Sequence, residues 1–206
     1  MAPDRKVTPV INNSFFFNLR VPVLRQLVDD LRVSPPSSRG RYDMDRLLRR
    51  TSSRWADGLT LIARSSAYTR TCAYSDEAFE VVLLNWAPGA TSPIHDHGDQ
   101  HCWMVVLAGQ LQVDDYVRLD PGNVRGYAHV EAQGSRILAP GGLDARAGRF
   151  DLHRVSTLRG APAVSLHVYS APLREYLIYD EPARRCEGAF GTYDEVLSPY
   201  AIARRR

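Results

Sequence analysis

The segment from Gly89 to Gly109, GATSPIHDHGDQHCWMVVLAG, constrains the chain more than any other. It places His95, His97, His101 and Cys102 within eight residues, between the apolar runs FEVVLLNW and CWMVVLAG. Runs of that length and character ask for extended backbone, in which alternate side chains share a face, so His95 and His97 point the same way. Two imidazoles converging on one point form a metal-ligand pair. A bare His-x-His in a polar turn would read as surface; the flanking strands reverse that reading.

The rest of the chain agrees with a strand-rich architecture. From about residue 58, short apolar or alternating runs recur: LTLIAR, FEVVLLNW, CWMVVLAGQLQVDDYVRL, GSRILAP, HRVST and AVSLHVYS, punctuated by Gly, Pro, Asn and Asp. This spacing predicts an all-β barrel or sandwich. REYLIYD, after Pro172, reads as one more strand, and the residues beyond it as loop and tail. The N-terminal part differs. The first 13 residues read as irregular. Val21 to Val33 carries Val21, Leu24, Leu27, Val28 and Leu31 at helical spacing with Pro22 near the start. SPPSSRGR, residues 34–41, is a loop, and Asp45 to Trp55 a second helix. The 206 residues suit one domain: a helical cap to about residue 57, a barrel over 58–180, and a C-terminal loop and tail over 181–206.

Composition excludes several classes. No run approaches the roughly 18 apolar residues that a membrane span needs. The N-terminus has no basic segment followed by a long apolar stretch, so the expected location is cytoplasmic. The net charge of +3 is mild, and the basic residues are scattered apart from Arg204 to Arg206, which gives no nucleic-acid footprint. Cys72, Cys102 and Cys186 form no CxxC and are odd in number, so neither a disulfide framework nor a zinc finger is indicated, and reduced thiols in a cytosol fit. The Arg- and Ala-rich composition reads as bacterial, and the chain as a monomer.

Gly89, five residues, His95-x-His97, four residues, Cys102, six residues and Gly109 together resemble the first cupin motif, with Cys102 where cupins usually carry Glu. That replacement, and the fuller string PIHDHGDQHC, resemble the cysteine dioxygenase type I family of thiol dioxygenases. LHRV at 152–155 resembles the second cupin motif, SLHVYS at 165–170 the family's Ser-x-His-x-Tyr segment, and YTR at 68–70 its substrate-binding segment. Their joint occurrence in order is far more specific than any one of them, and the resemblance covers about residues 45–180.

The resemblance implies a mainly β, jelly-roll-like cupin barrel with N-terminal helices, and an Fe(II) site held by His95, His97 and His153. Three neutral ligands leave the full charge on the metal, which suits a substrate bringing its own thiolate; Zn or Ni could bind the same nitrogens. His101 shares parity with the pair, but a turn at Gly98-Asp99 intervenes and the family does not use this position as a ligand. Arg70 is the expected partner of a substrate carboxylate, because a planar guanidinium binds one bidentately, and Tyr68 shapes the pocket. Mercaptopropionate dioxygenases carry Gln at that position, so Arg70 favours cysteine. Ser165, His167 and Tyr169, at i, i+2 and i+4, share one strand face. Facing inward they form a hydrogen-bonded row in which Ser165 orients His167 and His167 the Tyr169 hydroxyl. Facing outward they are the polar side of an edge strand. In the family, the residue at Cys102 bonds through sulfur to the tyrosine, here Tyr169; otherwise Cys102 is a small buried apolar residue. Trp86 and Trp103 read as barrel core, Trp103 near the pocket, and Cys72 and Cys186 as structural. The expected activity is oxidation of L-cysteine by O2 to cysteine sulfinic acid. The alternatives are the same chemistry on another small thiol such as 3-mercaptopropionate, a Zn- or Ni-loaded isomerase or hydrolase, or a non-catalytic metal-binding cupin.

Overall fold

The computed structural model describes residues 21–55 and 67–197, with the backbone alone at Arg159. The expected irregular N-terminus and the LTLIAR run lie outside these residues. Helix α1, Pro22–Val33, starts with Pro at its first turn and buries Leu24, Leu27 and Leu31, as the periodicity predicts. Helix α2 spans Arg41–Ser53 and so begins four positions before the expected Asp45. Its first turn is exposed, carries Asp43 where the helix dipole favours an acid, and has no apolar periodicity to announce it. A single 3-10 turn, Pro36–Ser38, joins the helices.

The remainder is mainly β and forms a two-sheet barrel. The strands are β1 Thr69–Ser75, β2 Glu80–Trp86, β3 Ile94–His95, β4 His101–Ala108, β5 Leu111–Arg118 and β6 Val130–Leu138, followed by β7 Leu143–Ala147, β8 Leu152–Thr157, β9 Ala163–Tyr169, β10 Glu175–Asp180, β11 Arg185–Phe190 and β12 Glu195–Val196. One sheet has the order β12-β1-β2-β9-β4-β7, the other β11-β10-β3-β8-β5-β6. Two strands therefore lie in the segment expected as C-terminal loop and tail. β11 pairs with β10, and β12 runs parallel to β1. Both are short, exposed edge strands without apolar alternation, so no pattern in the sequence marks them.

The first sheet is buried on both faces, which explains the near-continuous apolar runs of β2, β4 and β9. Its outer face, with Val81, Leu83, Trp103, Val105, Leu166 and Val168, packs against Leu24, Leu31, Met44 and Leu48 of the helices. Each such fully buried aliphatic side chain contributes about 1.5–3 kcal/mol. Its inner face, with Val82, Leu84, Trp86, Met104 and Val106, meets Leu111, Val113 and Val155 of the second sheet. Trp103 therefore faces the helical cap and not the pocket. The parity of β4 leaves no choice, because Cys102 and Met104 occupy the inner face.

Gly109 turns β4 into β5 with φ +70; a Cβ there would stand 2.3 Å from the Pro162 carbonyl oxygen, so only glycine fits. Register across the inner face of the first sheet places whole rows side by side: Glu80, Tyr169, Cys102 and Arg146 in one, and Val82, His167, Met104 and Asp144 in the next.

Candidate metal centre

His95 on β3 is the cross-strand partner of His153 on β8. His97 lies in the turn after β3, closed by Gly98 at φ +58. A Cβ at Gly98 would stand 2.8 Å from the Glu175 carbonyl oxygen, so this turn too depends on glycine. One ring nitrogen from each of His95, His97 and His153 lies within 4.8 Å of the others. His101 is on the outer face of β4, stacked on Trp103 at 5.6 Å, and takes no part.

The protonation pattern fits a cation. Nδ1 of His95 lies 3.0 Å from the Pro93 carbonyl, and Nδ1 of His153 lies 2.8 Å from Oδ2 of Asp144. Neither oxygen can donate, so both Nδ1 atoms carry the hydrogen and both Nε2 atoms turn toward the cluster. Those two Nε2 atoms face each other at 3.2 Å. Neutral rings in this tautomer would offer both lone pairs to one cation. Burial, followed by the neighbouring His153, pushes the His95 imidazole down to about 3. The same causes, with His95 added, hold His97 far below its ordinary range. His95 and His97 are thus held neutral, the form that ligates.

Two buried carboxylates hold this geometry. Asp96, between the two ligand positions, accepts from the Gly98 N–H at 2.9 Å, the Leu177 N–H at 3.0 Å and the Tyr179 hydroxyl at 2.7 Å, fixing the His95–His97 turn to β10. Asp144, on β7, accepts from His153, from Arg146 at 2.8 Å through both oxygens, and from Arg136. Arg146 also donates to Asp151 at 2.9 Å and to Asp115, and Arg136 donates to Asp115. Asp115 is in turn the cross-strand neighbour of His153. Burial works against the Asp144 charge, but the donated hydrogen bonds and the arginine outweigh it and keep the carboxyl ionised.

The β9 row points inward. Ser165 Oγ accepts the Trp86 indole N–H at 2.8 Å and pairs with His167 Nε2 at 2.9 Å. The other nitrogen of His167, Nδ1, faces Cys102 Sγ at 3.9 Å. The expected link from His167 to the Tyr169 hydroxyl is not formed: their rings stack at 6.2 Å with planes 18° apart, and residues two apart on a strand run parallel. Tyr169 pairs instead with Cys102, its cross-strand partner, and the two side chains are within hydrogen-bonding reach. Burial and then the Cys102 thiol raise the phenol well above its ordinary value.

Arg70, on β1, is tethered by its Nε to the Thr192 carbonyl at 3.1 Å and by its backbone N–H to Asp194 at 2.8 Å, both in the C-terminal segment. Its Nη2 is buried without a hydrogen-bond partner. Burial opposes the charge; Tyr169 and Tyr68 restore it and keep the guanidinium protonated. Tyr68 packs edge-on to Trp86 at 5.1 Å. Glu80 is fully buried next to Tyr169 in register. Its Oε1 has no hydrogen-bond partner, and burial pushes the carboxyl up to about 7.

Residues 51–182, more than half the chain and all of these groups, match the sequence pattern of the cysteine dioxygenase type I family. The chain belongs to that family. Cysteine dioxygenase type 1 of Danio rerio is 32% identical over 104 residues, covering 50% of this chain and 50% of that protein. The Homo sapiens enzyme is 30% identical over the same extent. The chain thus matches about half the length of these curated relatives. Among solved structures, a Thermus thermophilus protein aligns with TM-score 0.41 at 18% identity, covering 53% of this chain and 88% of that one. The cupin domain of Schizosaccharomyces pombe Cnp3 aligns with TM-score 0.40 at 10% identity, covering 50% of this chain and 61% of that domain.

For this member of the cysteine dioxygenase type I family, the structure clusters His95, His97 and His153, sets Cys102, Ser165, His167 and Tyr169 side by side on the inner face, and leaves His101 and Trp103 outside. Sequence reasoning missed Asp96, Asp144, Arg146 and Glu80. Asp96 had a signal in the His-Asp-His string. Asp144 and Arg146 had none, because charged residues alternating through LDARA read as a solvated loop. Cys72 is buried and Cys186 partly so, both as free thiols.

Proposed function

We propose that the chain is an iron-dependent thiol dioxygenase that oxidises L-cysteine with O2 to cysteine sulfinic acid. The observation that carries this reading is the pairing of a three-imidazole cluster with a buried guanidinium whose Nη2 has no partner. A cation at the histidines and a carboxylate at Arg70 would complete the site, and a small thiol amino acid offers both a sulfur and a carboxylate. His95, His97 and His153 would hold the metal through neutral nitrogens. Fe(II) bound there would supply a Lewis-acidic centre that takes the thiol as thiolate and activates O2 toward its sulfur.

The protein's own residues do the rest. Arg70 binds the substrate carboxylate and, with Tyr68 against it, fixes the orientation of the sulfur. The Tyr169 hydroxyl, kept protonated, donates into the pocket beside the reacting atoms. Ser165 and Trp86 lock the His167 ring, and His167 in turn backs Cys102. The overall change balances as one thiolate plus one O2 giving one sulfinate, with both oxygen atoms on sulfur. Cys102 and Tyr169 join through a thioether: the thiol and ring hydrogens leave as protons while two electrons pass to O2. That bond would stop the phenol from rotating.

The test is oxygen uptake by iron-loaded protein with cysteine and with 3-mercaptopropionate, paired with product analysis. One O2 consumed per sulfinate formed, with cysteine preferred, is the expected result. No uptake with either thiol at full iron loading would overturn the reading.

A further inference from the structure

The ionic cluster around Asp144 is larger than any ligand-orienting contact requires. It contains three carboxylates, Asp115, Asp144 and Asp151, and two guanidiniums, Arg136 and Arg146. The count leaves one negative charge in excess. Asp144 is 1% exposed at its side chain and Arg146 7%, so water does little to screen the centre of the cluster. The neighbouring Asp114 does not alter the count, since it pairs with Arg154 at 2.9 Å. The excess reaches the barrel interior along one hydrogen bond, from His153 Nδ1 to Asp144 Oδ2, and Asp115 stands beside the same histidine in register. A cation bound at His153 Nε2 would balance that charge.

We propose that Asp144 is a positioning residue for the metal centre, and that the Asp115–Arg136–Asp144–Arg146–Asp151 cluster is a built-in counter-charge that sets metal affinity through His153. This rests on the reading of His95, His97 and His153 as metal ligands, but not on the substrate or on iron. A site of three neutral imidazoles has no anion of its own. Here the anion is held one residue back, where it polarises the His153 ring, fixes its tautomer and leaves the ligand position free. Partners of this kind behind a ligating histidine change metal affinity by about 10- to 100-fold.

The charge count gives opposite signs for two substitutions in one cluster, which a merely structural role would not. Asp144→Asn keeps an oxygen for His153 but takes the cluster from −1 to neutral. Arg136→Gln takes it from −1 to −2. The experiment titrates cobalt(II) and zinc(II) into chelator-treated, metal-free protein, following the cobalt absorption bands and zinc competition, with circular dichroism to confirm folding. Asp144→Asn is expected to bind about tenfold or more weakly than the parent chain, and Arg136→Gln at least about threefold more tightly, the lower bound for a charge several ångströms away that is partly screened by water. Asp114→Asn, outside the cluster, should bind as the parent does. Parent-like affinity in folded Asp144→Asn, or unchanged or weaker affinity in Arg136→Gln, overturns the proposal. If Asp144→Asn does not fold, the sign of the Arg136→Gln change decides alone. Failure of the parent chain to bind either metal would remove the ligand reading itself, a result separate from either variant.

Discussion

Two strands of one sheet, β9 and β7, flank β4 and face the same interior, yet they support the histidine cluster by opposite means. β9 presents Ser165, His167 and Tyr169, all neutral and linked through Trp86, Ser165, His167 and Cys102. β7 presents Asp144 and Arg146, both charged and paired within a five-residue ionic cluster. Between them, β4 supplies Cys102, which belongs to the β9 network, and the apolar Met104 and Val106. A pocket that held a substrate anion and a metal cation, as proposed, would use both kinds of wall. Neutral donors can reorganise around a ligand at little electrostatic cost, whereas fixed charges hold a cation but tolerate no slack.

The comparison can be broken most severely where the charged wall touches the cluster. His153→Ala removes a ligand and the hydrogen-bonded link from Asp144 to the site; metal content is expected to fall to background with loss of thiol-dependent oxygen uptake. Full metal stoichiometry with full uptake would show that the β7 wall and the metal are unrelated. On the substrate side, Arg70→Gln should raise KM for cysteine by about 10- to 100-fold, the worth of a charge-assisted hydrogen bond, and shift preference toward 3-mercaptopropionate. An unchanged preference ratio would take Arg70 out of substrate recognition.

Glu80 tests whether the neutral wall is neutral because of its environment. Its carboxyl sits at about 7 in the folded chain against an ordinary value of 4.5, so the folded state favours the protonated form. Glu80 therefore costs nothing below about pH 4.5, and its burial penalty grows until about pH 7, reaching on the order of 3 kcal/mol. The stability of Glu80→Gln relative to the parent should rise across that interval and level off above it. Chemical unfolding at several pH values measures this, and a flat difference would mean that Oε1 is satisfied. The smallest expected effect belongs to Ser165→Ala, which leaves the Trp86 N–H and His167 Nε2 unpaired in the core. A loss of about 1–3 kcal/mol is expected, with metal affinity unchanged; a metal-affinity loss matching that of Asp144→Asn would erase the distinction between the walls.

The two walls also differ in how far they could be read from the sequence. The β9 row was legible because polar residues alternate with Val164, Leu166 and Val168, the period of a strand. Only its last link was misdrawn: parity puts His167 and Tyr169 on one face but cannot say which partner each finds, and the partner of Tyr169 comes from β4. The β7 wall was invisible. Its inward residues are charged and its outward residues, Leu143 and Ala145, pack under the helices, so the usual pattern of apolar inside and polar outside is inverted. β11 and β12 escaped for the simpler reason that exposed edge strands bury too little to leave a pattern.

Local sequence by itself determined the histidine pair, the helices of the cap and the shared face of Ser165, His167 and Tyr169, because each depends on residues a few positions apart, and the family resemblance is the ordered sum of such motifs. Only the tertiary structure decided what stands behind those residues. The Nε2 atoms of His95 and His153 face each other across 58 positions, and Asp115, Arg136, Asp144, Arg146 and Asp151 become one cluster. A buried charge is tolerable only when its partners arrive from other strands, so the meaning of Asp144 does not exist until the barrel closes.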